Sequence, residues 1–201
     1  MTNFPDSHKK LTSRISSYKS ALTKEKRERG CIRDGSGKRY LLFSLLFVLN
    51  NLEKSKQYFE WFKNEFPEDR GEPLQKLCWA ISLHRLGNEN EAKTKLAELM
   101  LSNLYVIPFV LNHELKKYDM WHSSNWEEMD YVHYIPGQVL DGITSQEIKW
   151  IESLYNSFEF RRIRKRYIQI YHDLQHTKEL NERTELLDEA YSLLKMLCIK
   201  S

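Results

Sequence analysis

The sequence predicts an all-α fold, on three observations. Apolar residues recur at spacings of three and four along most of the 201 residues, as one face of a helix requires. No stretch of any length alternates polar and apolar residues as a half-buried strand would. Seven Gly and five Pro are too few for a fold of many short strands and tight turns. Hydrophobic residues make up 41% and aromatics 12%, enough for a real core, which excludes wholesale disorder. The longest apolar run, 41–49, spans ~14 Å as a helix. That is about half a bilayer core, so no membrane-spanning helix is expected.

The first seven residues read as frayed. From Ser7 onward Leu11, Ile15, Tyr18 and Leu22 form one stripe, with Lys and Arg on the other face, and the stripe ends near Gly30. Asp34, Gly35, Ser36 and Gly37 read as a flexible turn. Helical patterns follow at 38–49, 53–66, 73–86 and 89–101. The polar breaks between them are so short that neighbouring helices must run antiparallel. At 103–143 the helical period fades and Pro108, Pro136, Gly137 and Gly142 punctuate the chain. A broken helix near 104–116 is expected there, then an irregular aromatic segment. Thr144 followed by Glu147 is a capping box opening a helix with Ile148, Ile151, Leu154 and Tyr155 on its apolar face. A second C-terminal helix shows Phe160, Ile163, Tyr167, Ile170, Tyr171 and Leu174. A third shows Leu186, Leu187, Ala190, Leu193, Leu194 and Leu197. The organisation is thus a basic N-terminal helix and turn at 1–35, helix pairs at 36–106, an aromatic segment at 107–143 and C-terminal helices at 144–201.

The stretches 36–69 and 73–106 align without a gap. Leu42 falls on Trp79, Phe43 on Ala80, Leu46 on Leu83, Asn50 on Gly87, Ser55 on Ala92, Phe59 on Leu96 and Phe62 on Leu99. Small residues such as Ala80 and Ala92 let two helices approach, and Gly87 can take the left-handed conformation that stops the first of them. This pattern resembles the tetratricopeptide repeat. The second unit is the better match. The first keeps Phe59, Phe62 and Pro67 but carries Phe43, Asn50 and Ser55 where small residues or Gly are usual. The resemblance implies a short α-solenoid of antiparallel hairpins, capped by the N-terminal helix and a C-terminal helical bundle. It also implies a partner-binding groove at Tyr40, Ser44, Phe47, Leu77, Ile81 and His84. These positions are mostly apolar, so no clamp for a C-terminal carboxylate is expected. An apolar partner helix or the chain's own segment would fill the groove.

The net charge of +3 hides an asymmetry. Residues 1–39 hold eleven Lys/Arg against four acids, while the remainder is net acidic. The basic arm either meets an anionic partner or docks on its own acidic body. Cys31, Cys78 and Cys198 are odd in number and far apart, with no CxxC pair. They point to a reducing, cytoplasmic setting rather than a disulfide scaffold, with Cys78 and Cys198 as small core residues. The N-terminus lacks the order of a secretory signal.

Three constellations deserve weighing as sites. Residues 119–134 pack two Trp, two Tyr and two His with several carboxylates. Trp121, His122, Asn125 and Trp126 could form a recognition loop. Alternatively the two Trp plug the core, or His113, His122, His133, Asp119 and Asp130 supply metal ligands. His172 and His176 share a helix face, and Asp173 stands where zinc proteases place Glu; a solvent-facing pair is the simpler expectation. Arg161, Arg162, Lys165 and Arg166 form a basic run suited to phosphates or to a solvated, acid-paired face. No Walker loop, dinucleotide fingerprint, nucleophile elbow or zinc-protease motif occurs. The sequence therefore reads as a non-catalytic protein–protein interaction module without a cofactor, binding a peptide or helix of a partner. A nucleic-acid-associated protein is the alternative, and a metal or enzymatic role for 113–134 is third.

Overall fold

The computed structural model describes residues 4–195. Among these the fold is all-α, with no strand. The helices are α1 (His8–Arg29), α2 (Lys38–Leu49), α3 (Leu52–Glu65), α4 (Pro73–Arg85), α5 (Glu89–Ser102), α6 (Val106–Val110), α7 (Gly137–Asp141), α8 (Ser145–Tyr155), α9 (Phe158–His176) and α10 (Leu180–Ser192), with 3-10 turns at Asn125–Glu127 and Met129–Tyr134. No helix is long and apolar enough to cross a membrane.

Helix α1 begins where Ser7 Oγ accepts the Lys10 amide, and ends at Gly30 in the left-handed region, φ 71°. Its stripe buries Leu11, Ile15 and Leu22 against the body. Each such side chain contributes ~1.5–3 kcal/mol of transfer free energy. Lys26 pairs with Glu65 of α3, so the basic arm lies docked on its own acidic body. Two expectations near this end fail. Phe4 packs on the core and Pro5 is buried, so the chain is anchored from residue 4 rather than frayed to residue 7. The 34–37 turn is built around Asp34, which is buried; its carboxylate accepts the Lys38 and Arg39 amides at 2.9 and 2.7 Å. It thereby satisfies donors that every helix N-terminus leaves open.

Helices α3 and α5 begin at residues 52 and 89 and end at 65 and 102, an offset of 37 at both bounds. Asn50 and Gly87, also 37 apart, both adopt the left-handed conformation, φ 53° and 75°. Asn tolerates that region best among residues with a side chain, which explains how the first hairpin turns without Gly. Ser55 is buried like its counterpart Ala92, its hydroxyl turned back onto the Asn51 carbonyl at 3.0 Å. Phe43 is different. Where Ala80 lets α4 and α5 close, Phe43 wedges between α2 and its neighbours, stacked on Phe59 (5.3 Å, 10°) and edge-on to Phe62 (5.1 Å, 83°). Trp79 joins it at 5.0 Å. Such offset and edge-to-face pairs add ~0.5–1.5 kcal/mol each beyond burial.

Helix α4 is the centre of the molecule. Every residue from Pro73 to Leu83 is buried, because α2, α3 and α5 flank it and Tyr131 reaches its first turn, its hydroxyl accepting the Leu74 amide at 3.0 Å. The expected helix at 104–116 is cut to α6. Asn112 turns left-handed, φ 55°, and the His113 amide returns to the Pro108 carbonyl at 2.9 Å. The chain then runs irregularly to Trp121, whose amide binds the Tyr171 carbonyl at 3.0 Å. The Thr144–Glu147 capping box is present. All six expected core residues of α9 are buried, and α10 packs on α9 through Ala190 and Leu193. Leu197 and Cys198 lie outside the described residues.

Candidate interaction surface

The predicted groove is closed. Ser44, Phe47, Leu77 and Ile81 are all at most 2% exposed. At the Phe47 end of that face stands Arg85, the last residue of α4. Its guanidinium holds Glu147 through Nε at 2.6 Å and Nη2 at 3.1 Å, the Gly142 carbonyl at 2.6 Å and Asn50 Oδ1 at 3.1 Å. It also lies over the Phe47 ring, 4.5 Å from the centroid. These contacts draw α7 and the start of α8 onto α2. His84 is half-buried and stacks on Trp150 at 4.3 Å. The chain's own segment therefore fills the face that the repeat resemblance assigned to a partner.

Tyr40 is the exception, and it leads to a different surface. Its hydroxyl donates to Asp69 at 2.8 Å, and Arg39 Nε donates to the same carboxylate at 2.8 Å. Burial first, then the Asp69 carboxylate, pushes the Tyr40 phenol up to about 12. The Tyr40 ring meets Trp126 edge-on at 6.3 Å, 88°. The next residue, Arg70, is exposed and lies 4.7 Å from the Tyr191 ring centroid. Tyr40, Trp126, Asp69, Arg70 and Tyr191 thus form one continuous surface across the α3–α4 connection.

The loop carrying Trp126 is held from beneath by a buried polar residue. Asn103 is 1% exposed. Its amide donates to the carbonyls of Trp126 at 2.6 Å and Glu128 at 3.1 Å, and its Oδ1 accepts the Tyr105 and Val106 amides. A buried amide with its hydrogen-bonding groups satisfied is a rigid fixture. Ser123 and Glu127 close the loop further. The Trp126 ring nevertheless stays 45% exposed and Tyr191 51% exposed.

Two enclosed ionisable groups stand at the start of α4. Burial pushes the Glu72 carboxyl up to about 7, with Arg39 and Lys76 opposing. Burial likewise draws the Lys76 ammonium down to about 8. Glu98 and Asp69 favour its charge, while Lys95 and Arg70 oppose it.

The remaining candidates divide. Trp121 stacks on Tyr171 at 6.1 Å and is half-buried, so it is a packing residue. Trp126 is not the core plug that the bulky-aromatic reading expects. Asn125 is exposed, and His122 is half-buried with Nδ1 enclosed and unpartnered. His113, His133 and Asp130 are exposed and belong to no converging donor set among the described residues, whereas Asp119 approaches His172 and His176. In the basic run Arg161, Arg162 and Lys165 are exposed. Arg166 is engaged by Glu189, with Nε at 2.6 Å from Oε1. Arg164, not singled out by sequence, binds the Tyr155 carbonyl at 3.0 Å. Sequence reasoning missed Asp69, Arg70, Asn103 and Tyr191. Asn103 alone left a signal, a polar residue inside the apolar stretch 99–107.

Compared with protein-family models, curated proteins and solved structures, the chain gives no significant match.

Proposed function

We propose that this protein is a non-catalytic interaction module that receives a segment of a partner protein on the Trp126–Arg70–Tyr191 surface rather than in a repeat groove. The observation that carries the reading is the pairing of Asn103 with Trp126. A buried side chain holds the loop backbone while the indole is left half in solvent. Fixed aromatics bind well because little side-chain or loop entropy remains to be lost. Trp, Tyr and Arg are also the residues in which interface energy concentrates. The partner chemistry that fits is an apolar or aromatic anchor laid against Trp126, with a carboxylate reaching Arg70.

On the same reading the two hairpins are divergent tetratricopeptide-like units. The shared offset of 37 residues and the matched left-handed turns at Asn50 and Gly87 support this. The cytoplasm fits the thiols of Cys31 and Cys78, which are unpaired.

The test is capture of partners by the immobilised full chain, followed by affinity measurement for the partner recovered. Trp126→Ala and Tyr191→Ala should each weaken that affinity at least tenfold while thermal unfolding is unchanged. Equal affinity of both variants and the wild type rejects the surface. Recovery of nucleic acid instead, with binding that falls steeply with salt and depends on Arg161, Arg162 and Lys165, rejects the protein-binding reading.

A further inference from the structure

We propose that Asp119, His172 and His176 form a binding site for a first-row divalent transition ion such as Zn²⁺. The two histidines stand four apart on α9, so both imidazoles leave the same face, with ring centroids 4.9 Å apart. Asp119 comes from the irregular segment more than fifty residues earlier, and its Oδ2 lies 3.6 Å from His172 Nε2. One donor atom from each of the three residues lies within 4.8 Å of the others.

The surroundings orient these donors. The Trp121 amide binds the Tyr171 carbonyl at 3.0 Å, which fixes the segment beside α9. Gln175 Nε2 donates to Asp119 Oδ1 at 2.9 Å, leaving Oδ2 toward the histidine. On the far side of the His172 ring, Nδ1 is enclosed and has no hydrogen-bond partner, with Asp173 Oδ1 3.5 Å away. An ion on Nε2 would leave the ring proton on Nδ1, and a small rotation of Asp173, whose Oδ1 now accepts from Gln169 Nε2 at 2.8 Å, would give it the carboxylate partner that commonly fixes a metal ligand's tautomer.

The donor set selects the ion. Two imidazoles with one carboxylate suit Zn²⁺, Co²⁺, Ni²⁺ or Cu²⁺ and disfavour Mg²⁺ and Ca²⁺, which seek oxygen shells. Ligand bonds of ~2.0–2.2 Å in a tetrahedron put donors about 3.3 Å apart. Asp119 Oδ2 and His172 Nε2 already stand near that separation at 3.6 Å, and the group needs to close by at most about 1.5 Å, a movement within reach of the exposed His176 and Asp119 side chains. Three protein ligands on an accessible face leave a coordination position for water or an outside ligand. A bound ion would also clip the 113–121 segment to α9, near the middle of the sequence that carries the Trp126 loop.

The experiment is calorimetric titration of the untagged, metal-free full chain with Zn²⁺, with Co²⁺ followed by visible absorption. The expected result is one saturable ion per chain and a tetrahedral Co²⁺ spectrum. His172→Ala and His176→Ala should abolish both, with the melting temperature of the metal-free variants unchanged. Asp173→Asn should weaken binding about 10–100-fold, the usual effect of losing an outer partner. Absence of saturable Zn²⁺ binding, or binding that survives His176→Ala, overturns the site. If a histidine variant fails to fold, Asp119→Asn, on an exposed carboxylate, decides: unchanged affinity overturns the site and weakened affinity sustains it.

Discussion

Arg85 and Glu147, 62 residues apart in sequence, meet through two hydrogen bonds in a nearly buried pair, 14% and 6% side-chain exposed. The contact joins the second hairpin to the first turn of α8. Glu147 also completes the cap of that helix, accepting the Thr144 amide at 2.7 Å. One carboxylate thus starts α8 and closes the face over Phe47.

Removing one partner leaves the other charge enclosed. Glu147→Ala or Arg85→Ala should each cost about 3–5 kcal/mol, measured by urea unfolding. A double-mutant cycle between them should show strong coupling, and additive losses would mean that the pair is not the lock.

The same pair sets an acid limb. Burial tends to raise the Glu147 pKa, but the Arg85 and Thr144 hydrogen bonds prevail and hold it below the ordinary 4.5. A depressed folded-state pKa gives stability that is present above the unfolded value and lost as pH falls through the folded one. Wild-type stability should therefore decline below pH 4.5, and the decline should be shallower in Glu147→Gln.

Glu72 has the opposite sign. Burial raises its folded pKa to about 7, above the ordinary 4.5, so the folded chain binds the extra proton between those values. Stability from this group falls as pH rises from 4.5 to 7. Glu72→Gln keeps the backbone amide that donates to Gln75 Oε1 and removes the ionisation. It should stabilise the protein at pH 8 by about 1–3 kcal/mol and leave stability at pH 4.5 nearly unchanged.

Gly71 should not tolerate a side chain. Its φ is 68°, and an added Cβ would fall 2.1 Å from Gln75 Oε1. Gly71→Ala combines left-handed strain with loss of the Gln75 contact that starts α4, and should destabilise by more than ~1 kcal/mol. Gly30, with nothing within 4 Å of such an atom, should show the strain alone.

Phe47→Ala and Leu77→Ala should lower stability by about 3–5 and 2–5 kcal/mol, as for core truncations. Trp126→Ala should lie within ~0.5 kcal/mol of wild type, as for surface positions. The contrast in thermal melts separates the closed groove from the open loop surface.

The helices were legible in the sequence because their cause is local. The stripe of α1, the offset shared by the two hairpins and the Thr144–Glu147 cap all lie within one or two turns of the residues that produce them. The surfaces were not. Whether Phe47 faces a partner or the chain itself depends on Arg85 finding Glu147, which no periodicity encodes. The Asp34 cradle looked like a flexible turn because composition reports Gly and Ser, not where a carboxylate points. Asp119 and the His172–His176 pair were visible as separate features. The Trp121–Tyr171 backbone bond and the Gln175–Asp119 contact, both long-range, bring them together.

The enclosure of α4 has a consequence for backbone opening. From Pro73 to Leu83 every residue is sealed from solvent, so no local fraying exposes these amides. Hydrogen exchange along that stretch requires the whole fold to open, and its rate reads the global stability of the protein.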